Sequence, residues 1–193
     1  MDFLNLLKPE NSLKPGAGKL LIAEPFLKDS NFSRTVIMLC EHDDKGTVGF
    51  ILNHLTDMKL SDILPELYPA NAAIYGGGPV QTDTLHMLHS MPEVLGGNEI
   101  APGVYWGGSY EVLQEMIHDN SYDLAYIRLF VGYSGWSAGQ LDKELEEGSW
   151  FVAELPENIL FKTKPEDLWK KAIGQLGDDY KFVANMPINP QLN

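Results

Sequence analysis

The chain has few cysteines and few positive charges, and both shortages exclude classes of protein. Its 193 residues include one cysteine, Cys40, so no intramolecular disulfide can form, which is typical of a reducing compartment. Lysine and arginine number 14 against 27 aspartates and glutamates, which gives a net charge of −13. A chain this acidic repels phosphate backbones, so direct nucleic-acid binding is disfavoured.

The sequence also lacks the features of a secreted or membrane-spanning chain. Asp2 stands where a signal peptide carries positive charge, and the apolar run that follows it is too short. No apolar stretch approaches the ~18 residues that a membrane span needs. We therefore expect a cytoplasmic protein with no membrane association.

The positions of turn-forming residues predict one domain with two short extensions. Pro15 to Gly18 is a turn-rich linker, so residues 1–16 are predicted to be an N-terminal extension. Residues 17–177 are predicted to form the single domain, because 44% hydrophobic residues suffice for one sizeable core. Residues 178–193 are predicted to be a loosely docked C-terminal tail.

Short β-rich runs dominate the predicted domain. The clearest are residues 35–41 and 47–52, which the turn-forming residues 43–46 join into a hairpin. The near-continuous apolar run from Leu124 to Tyr133 predicts a central strand. Further strands are predicted at residues 19–23, 74–75, 84–89, 103–106 and 149–153.

Helices are predicted between these strands at irregular intervals. Ser109 is a candidate N-cap for a helix to about Asn120, and Pro165 begins the last helix. Ser137 and Gln140 have the spacing of a capping box for a helix that Gly148 ends. This irregular mixture predicts the α+β class, with a mixed, largely antiparallel curved sheet or β-barrel flanked by helices.

Gly135 to Gly139 match the nucleophile-elbow pattern G-x-S-x-G between a strand and a helix. In hydrolases of that fold the catalytic histidine follows the serine, but the last histidine here is His118. The capping box already explains Ser137. We therefore predict no catalytic role for it.

Cys40 and His42 are two residues apart on a predicted strand, where alternate residues share a face. The pair could be a nucleophile with its base, or two metal ligands. The alternative is a buried cysteine and a histidine at the end of the strand, which we favour because no other ligand pair has metal-site spacing.

Glycines 76–78 before Pro79 could bring backbone close to a ligand, although a strained turn is the favoured interpretation. No P-loop or dinucleotide fingerprint is present, so the sequence predicts neither a cofactor nor a metal. Tyr133 and Trp136 could line a cleft or a partner surface. Together the candidate ligand or partner surface comprises Cys40, His42, Gly77, Gly78, Tyr133 and Trp136.

Several short sequence segments, in their order along the chain, resemble the bacterial YqgE/AlgH family. They are residues 21–25, Phe32 to Val36, Cys40 to His42, Gly46, Gly49, Asn53, residues 77–80, Gly132-Tyr133, Trp136, residues 139–141, Trp150 and residues 159–169. The likeness spans roughly residues 17–177. It departs at His54, where the family often has a lysine.

The resemblance implies an α+β fold with a barrel-like or strongly curved sheet, and it supplies no catalytic residues. Some members carry the label of transcriptional regulator. With a net charge of −13, we expect any such effect to be indirect. The leading hypothesis is a regulatory or partner-binding module, whose partner is an unknown protein or a small ligand. The alternative is a small-ligand-binding protein or an unrecognised enzyme with a cleft near Cys40 and His42.

Overall fold

The computed structural model describes residues 13–67, 72–119, 121, 123–156 and 159–185. These residues form ten strands and seven α-helices, with 3₁₀ turns at Pro65–Leu67 and Leu124–Tyr126. The α+β class and the curved, largely antiparallel sheet are confirmed.

The strands are β1 (Leu20–Ala23), β2 (Val36–Asp43), β3 (Gly46–Ile51), β4 (Leu55–Lys59), β5 (Ala73–Gly76), β6 (Val80–His89), β7 (Asn98–Ala101), β8 (Val104–Trp106), β9 (Ile127–Ser137) and β10 (Trp150–Ala153). The helices are α1 (Leu60–Ile63), α2 (Pro92–Leu95), α3 (Tyr110–His118), α4 (Gln140–Glu146), α5 (Ile159–Lys162), α6 (Pro165–Gly174) and α7 (Asp178–Ala184).

Strand β9 is the centre of the sheet, as its apolar run predicts. The main path runs β10-β1-β2-β3-β9-β6-β8-β7, and β5 joins β9 on a branch that also carries β4. The β5–β9 pair is parallel, and every other described pair is antiparallel. Pairing with β3, β5 and β6 buries most of β9, which explains its composition.

The sheet curls until its two ends meet. The Gly18 N–H donates to the Leu39 carbonyl at 2.8 Å, just before β1 begins. A Cβ at Gly18 would collide with the carbonyl oxygen of Ile100 on β7, at the other end of the sheet path. This close approach brings β7 beside the start of β1, and we call the junction the seam.

Helix α6 covers the β1–β2 part of the sheet. Its buried side is made of Leu168, Trp169, Ala172 and Ile173, the apolar stripe that the sequence predicts. The Trp169 indole N–H donates to the carbonyl of Ala23 at 2.9 Å, so the helix is fixed to β1 by a directional bond as well as by packing. Pro165 stands at the helix start, as expected.

The predicted hairpin is present and carries an unpredicted irregularity. Asp43 Oδ1 accepts the backbone N–H groups of Lys45 and Gly46, which fixes the turn between β2 and β3. The register between the strands shifts between Leu39 and Glu41, which marks a β-bulge.

Two helix predictions differ in outcome. Ser109 caps α3 as expected, since its Oγ accepts the Val112 N–H at 3.2 Å. The capping box of α4 is only half formed. Gln140 Oε1 accepts the Ser137 N–H at 3.0 Å, but the N-cap residue is Gly139, in a left-handed conformation with φ of 70°. Ser137 stays at the exposed end of β9 because the strand continues farther than predicted.

The predicted C-terminal tail begins with a helix. Residues 178–184 form α7, and Tyr180 is buried with its ring 5.3 Å from that of Phe151 on β10. Residues 1–12 of the predicted N-terminal extension and residues 186–193 of the tail lie outside the described residues.

Candidate functional site

A groove of about 550 Å³ opens along the seam. A volume of this size is typical of pockets that hold small molecules, for which ~300–1,000 Å³ is usual. Its walls come from separate segments of the chain: Gly18, Ser90, Ala101–Val104, Ala125–Tyr126, Glu154–Pro156 and Leu160–Lys162. We call this the seam groove.

Local hydrogen bonds fix the shape of two of these segments. The β7–β8 turn passes through Gly103, which has φ of 72° and donates its N–H to Glu99 Oε1. The 3₁₀ turn before β9 is set by Asp123, whose Oδ1 accepts the Ala125 N–H at 2.9 Å. Both carboxylates are thereby used in turn formation at the rim of the groove.

The lining of the seam groove is mainly apolar. Val104 and Leu160 are buried, Leu155 and Phe161 are half-buried, and Tyr126 is 49% exposed. When a ligand covers exposed apolar surface and removes it from water, the free energy of the complex is lowered. The groove can therefore hold a hydrophobic group.

Three polar side chains interrupt this apolar lining. Glu154 is neutralised by Lys19, whose Nζ lies 2.9 Å from Glu154 Oε1. Lys162 forms no ion pair with any described carboxylate, and the Ser90 hydroxyl has no hydrogen-bond partner among the described residues. A few polar groups on an apolar wall are what orients a ligand in most pockets.

A buried arginine lies behind the α5 end of the groove. Arg128 on β9 is 7% exposed, and its guanidinium donates to the carbonyls of Leu52 and Thr163, each at 3.1 Å. Its Cζ lies 4.7 Å from the centroid of the Tyr75 ring. Burial lowers the pKa of the Arg128 guanidinium, yet the group stays cationic near neutrality.

The predicted surface at the hairpin is a second, shallower basin of about 630 Å³. Tyr133 and Trp136 both line it, next to Val48, Val80 and Gly135. Glu41, Asp43 and Lys45 stand on the same lining, so two carboxylates face one lysine at the edge of the basin. Trp136 is only 5% exposed, which leaves Tyr133 as the main aromatic group that a partner could reach.

The hydrogen bonds that the structure shows for Cys40 and His42 do not join the two residues. The β-bulge breaks the strand alternation on which their shared face depends. Cys40 is 3% exposed in the same apolar cluster as Met38 and Phe50, and burial raises the pKa of its thiol well above the ordinary value. His42 is half-buried, with Nδ1 2.8 Å from Thr47 Oγ1. A thiol whose pKa is raised is a weak nucleophile near neutrality, because the thiolate is the reactive form.

Gly77 and Gly78 serve the packing of strands. The Gly77 N–H donates to Val131 on β9, and its carbonyl accepts from Ile51 on β3 and from the Ser134 hydroxyl. A Cβ at Gly77 would collide with the Gly132 carbonyl, and one at Gly78 with the Tyr133 backbone. Strand β9 fills the space at both glycines, so neither borders an opening.

The two histidines of β6 do not face a common ligand. His89 is fully buried: its Nε2 donates to the Gly107 carbonyl, its Nδ1 accepts the Met91 N–H, and its ring stacks on Tyr105. His86 is half-buried with its ring 6.0 Å from that of Tyr133. Burial lowers the pKa of both side chains below 6.5.

The described residues lack two further features, a cluster of metal ligands and a membrane-spanning helix. They contain no group of three or more histidine, cysteine, aspartate or glutamate side chains placed to hold a metal ion. None of the helices described is both long and apolar enough to cross a membrane.

The family model described as AlgH-like matches residues 20–181, most of the chain and every segment that lines the seam groove from Ser90 to Lys162. The chain belongs to the AlgH-like family. The family resemblance of the sequence is thereby confirmed.

Relatives and solved structures agree with this membership. A UPF0301 protein of Chlorobium phaeobacteroides is 41% identical to this AlgH-like chain over 178 residues, 92% of this chain and 95% of the relative. One of Cytophaga hutchinsonii is 39% identical, over 91% and 98%. The solution structure of AlgH from Pseudomonas aeruginosa is similar with a TM-score of 0.71 and 29% identity, covering 92% and 98%.

A crystal structure of a protein from Corynebacterium diphtheriae shares the fold, with a TM-score of 0.75, 24% identity and coverage of 94% and 97%. None of these descriptions names a ligand or a reaction. What this AlgH-like protein binds must therefore be inferred from its own side chains.

Sequence reasoning missed the seam groove entirely. Its lining residues are small or apolar side chains in turns and at strand ends, with no motif among them. The only indication in the sequence is the isolated charge of Lys162 after an apolar run, and many surface lysines have that setting.

Proposed function

We propose that this protein is a regulatory binding module whose ligand is a small molecule with an apolar part, held in the seam groove. The observation that carries the proposal is the groove itself, about 550 Å³ of mainly apolar lining between the two ends of the sheet. This keeps the small-ligand hypothesis but moves its site from Cys40 and His42 to the seam.

Closed and nearly closed β-sheets commonly hold ligands where the sheet opens. Here the opening is bounded on one side by the β7–β8 turn and on the other by α5, so the ligand would bridge segments about 60 residues apart in sequence. Bound ligand would stabilise the seam against opening, because anything that binds only the folded state stabilises it.

Regulation of other molecules would follow from this ligand-dependent seam and would not need direct contact with DNA. The net charge of −13 opposes binding to a phosphate backbone. A stable complex with DNA in a low-salt gel shift would contradict this part of the proposal.

The test is to fill the groove. Ala125 is an exposed lining residue, so Ala125→Trp should occupy the groove without disturbing the core. Ala138 is also exposed but lies outside the groove, and Ala138→Trp is the matched control. We expect the uncharged fluorescent probe prodan to bind the unmodified protein and Ala138→Trp, and to lose at least tenfold in affinity for Ala125→Trp.

Competition with decanol completes the measurement, since this neutral amphiphile should displace prodan from the groove. If prodan does not bind, or binds both variants equally well, the seam groove is not a ligand site and the proposal fails. Circular dichroism of both variants checks that each one is folded.

The hairpin basin is a second candidate, as a surface for a protein partner. Tyr133 is its accessible aromatic group, and Glu41 and Asp43 favour a partner with basic side chains. His42, beside Thr47, stands at the same end of the hairpin. If Tyr133→Ala no longer captures a protein partner that the unmodified protein captures, and Ala125→Trp still captures it, the role of the basin is separate from that of the seam groove.

A further inference from the structure

We infer that the ligand of the seam groove carries an anionic head group, a carboxylate or a group of similar charge, which binds at the α5 end beside Lys162. This inference rests on the proposed function, because it specifies the chemistry of the same ligand. It depends on the distribution of charge around the groove, which differs sharply from that of the whole molecule.

The protein as a whole is strongly acidic, yet the groove lining is not. Among the described residues one carboxylate lines the groove, that of Glu154, and it is paired with Lys19 at 2.9 Å. Lys162 is the one lining residue whose charge no described side chain balances. An anion beside Lys162 would therefore complete an ion pair that the described part of the chain leaves open.

Arg128 adds to the positive potential at this end. Its guanidinium donates to the carbonyl of Thr163, the residue that follows Lys162. No described carboxylate lies within ion-pair distance of Arg128, and because the group is 7% exposed, solvent ions screen its charge poorly. A lysine on the groove lining, with a buried guanidinium bound to the backbone of the next residue, favours a ligand that is anionic at this end.

Two described carboxylates near the groove are engaged with backbone. Glu99 accepts the Gly103 N–H and Asp123 accepts the Ala125 N–H, which spreads part of their charge onto the turns. The Ser90 hydroxyl, which also lines the groove, can donate a hydrogen bond to an anionic oxygen. An apolar wall with one cation and one free hydroxyl fits a small amphipathic carboxylate better than a neutral hydrocarbon.

The experiment compares head groups on one apolar chain. Decanoate, decanol and decyltrimethylammonium are titrated against the prodan complex of the full-length protein, its Lys162→Met variant and its Lys164→Met variant. Methionine keeps the apolar stem without the charge, and Lys164 is an exposed lysine two residues away that does not line the groove.

We expect decanoate to bind the unmodified protein roughly fivefold more tightly than decanol, the size of one good exposed ion pair. Decyltrimethylammonium should bind most weakly. Lys162→Met should abolish the preference for decanoate without weakening decanol, and Lys164→Met should keep it. Raising the ionic strength should reduce the difference in affinity between decanoate and decanol for the unmodified protein.

Equal binding of decanoate and decanol would overturn the inference and leave the proposed function intact. An equal loss of the decanoate preference in both lysine variants would also overturn it, because the effect would then be one of general charge. If none of the three amphiphiles displaces prodan, the inference and the proposed function fail together.

Discussion

At the scale of single residues, Gly77 shows why a run of glycines that resembles a ligand-binding loop need not bind a ligand. Its N–H and carbonyl are both used, toward Val131 and Ile51, in hydrogen bonds of 2.9 Å. Strand β9 passes so close that no side chain fits, and the added Cβ would also lie 2.9 Å from Phe50 Cδ1. The glycines from 76 to 78 therefore serve the crossing of strands.

Gly77→Ala should lower the free energy of unfolding by roughly 1–3 kcal/mol, the usual cost of overpacking a well-packed site. Gly16→Ala is the control, because nothing lies within 4 Å of a Cβ there. Urea unfolding of both variants measures the difference. If the Gly77→Ala and Gly16→Ala variants were equally stable, the backbone of β9 would have shifted to accommodate the added methyl group at little cost in free energy.

At the scale of elements, α4 is joined to the sheet by one carboxylate. Glu144 Oε2 accepts the indole N–H of Trp136 on β9 at 2.9 Å and that of Trp150 on β10 at 2.8 Å. Both tryptophans are about 5% exposed or less, so neither N–H has ready access to water. Trp136 and Leu141 lie in one apolar cluster with Trp150, so the helix is packed against the sheet as well as hydrogen-bonded to it.

Glu144→Ala should destabilise the fold by roughly 1–3 kcal/mol for each of the two indole donors it leaves unsatisfied. Glu146→Ala on the same helix is the control, since that side chain is exposed. Thermal unfolding of both variants, followed by tryptophan fluorescence, measures the difference. An equal effect of the two substitutions would mean that water replaces the carboxylate.

At the scale of the whole molecule, stability depends on pH through the buried imidazole of His89. Burial lowers the pKa of His89 below 6.5, and the Gly107 carbonyl opposes this only in part. The native state therefore binds fewer protons than the unfolded chain. The stabilisation is complete above about pH 6.5 and is lost as the pH falls toward the lower native pKa.

The free energy of unfolding should therefore fall between pH 7 and pH 5, because protonated Nδ1 can no longer accept the Met91 N–H. His89→Asn should flatten this dependence even though it lowers stability at every pH. His118→Gln, at an exposed position on α3, should leave the slope unchanged. A slope that persists in His89→Asn would assign the effect to His86, whose pKa burial also lowers.

The sequence by itself determined the acidic surface, the α+β class, the β2–β3 hairpin, the cap at Ser109 and the start of α6. Each of these depends on residues within a few positions of one another, where turn chemistry and periodicity act. The family resemblance was also present in the residues themselves. The sequence pattern did not predict short elements such as β4, β7 and α2, because four or five residues carry too little periodicity.

Only the tertiary structure decided where a ligand could bind. The bulge in β2 breaks the alternation that predicts a shared face for Cys40 and His42, and β9 occupies the space beside Gly77 and Gly78. The seam groove exists because Gly18 lets the two ends of the sheet approach, which places Lys162 near turns more than 30 residues earlier in the chain. Curvature of a sheet is a sum over all its strand pairings, so no local pattern encodes the site where it closes.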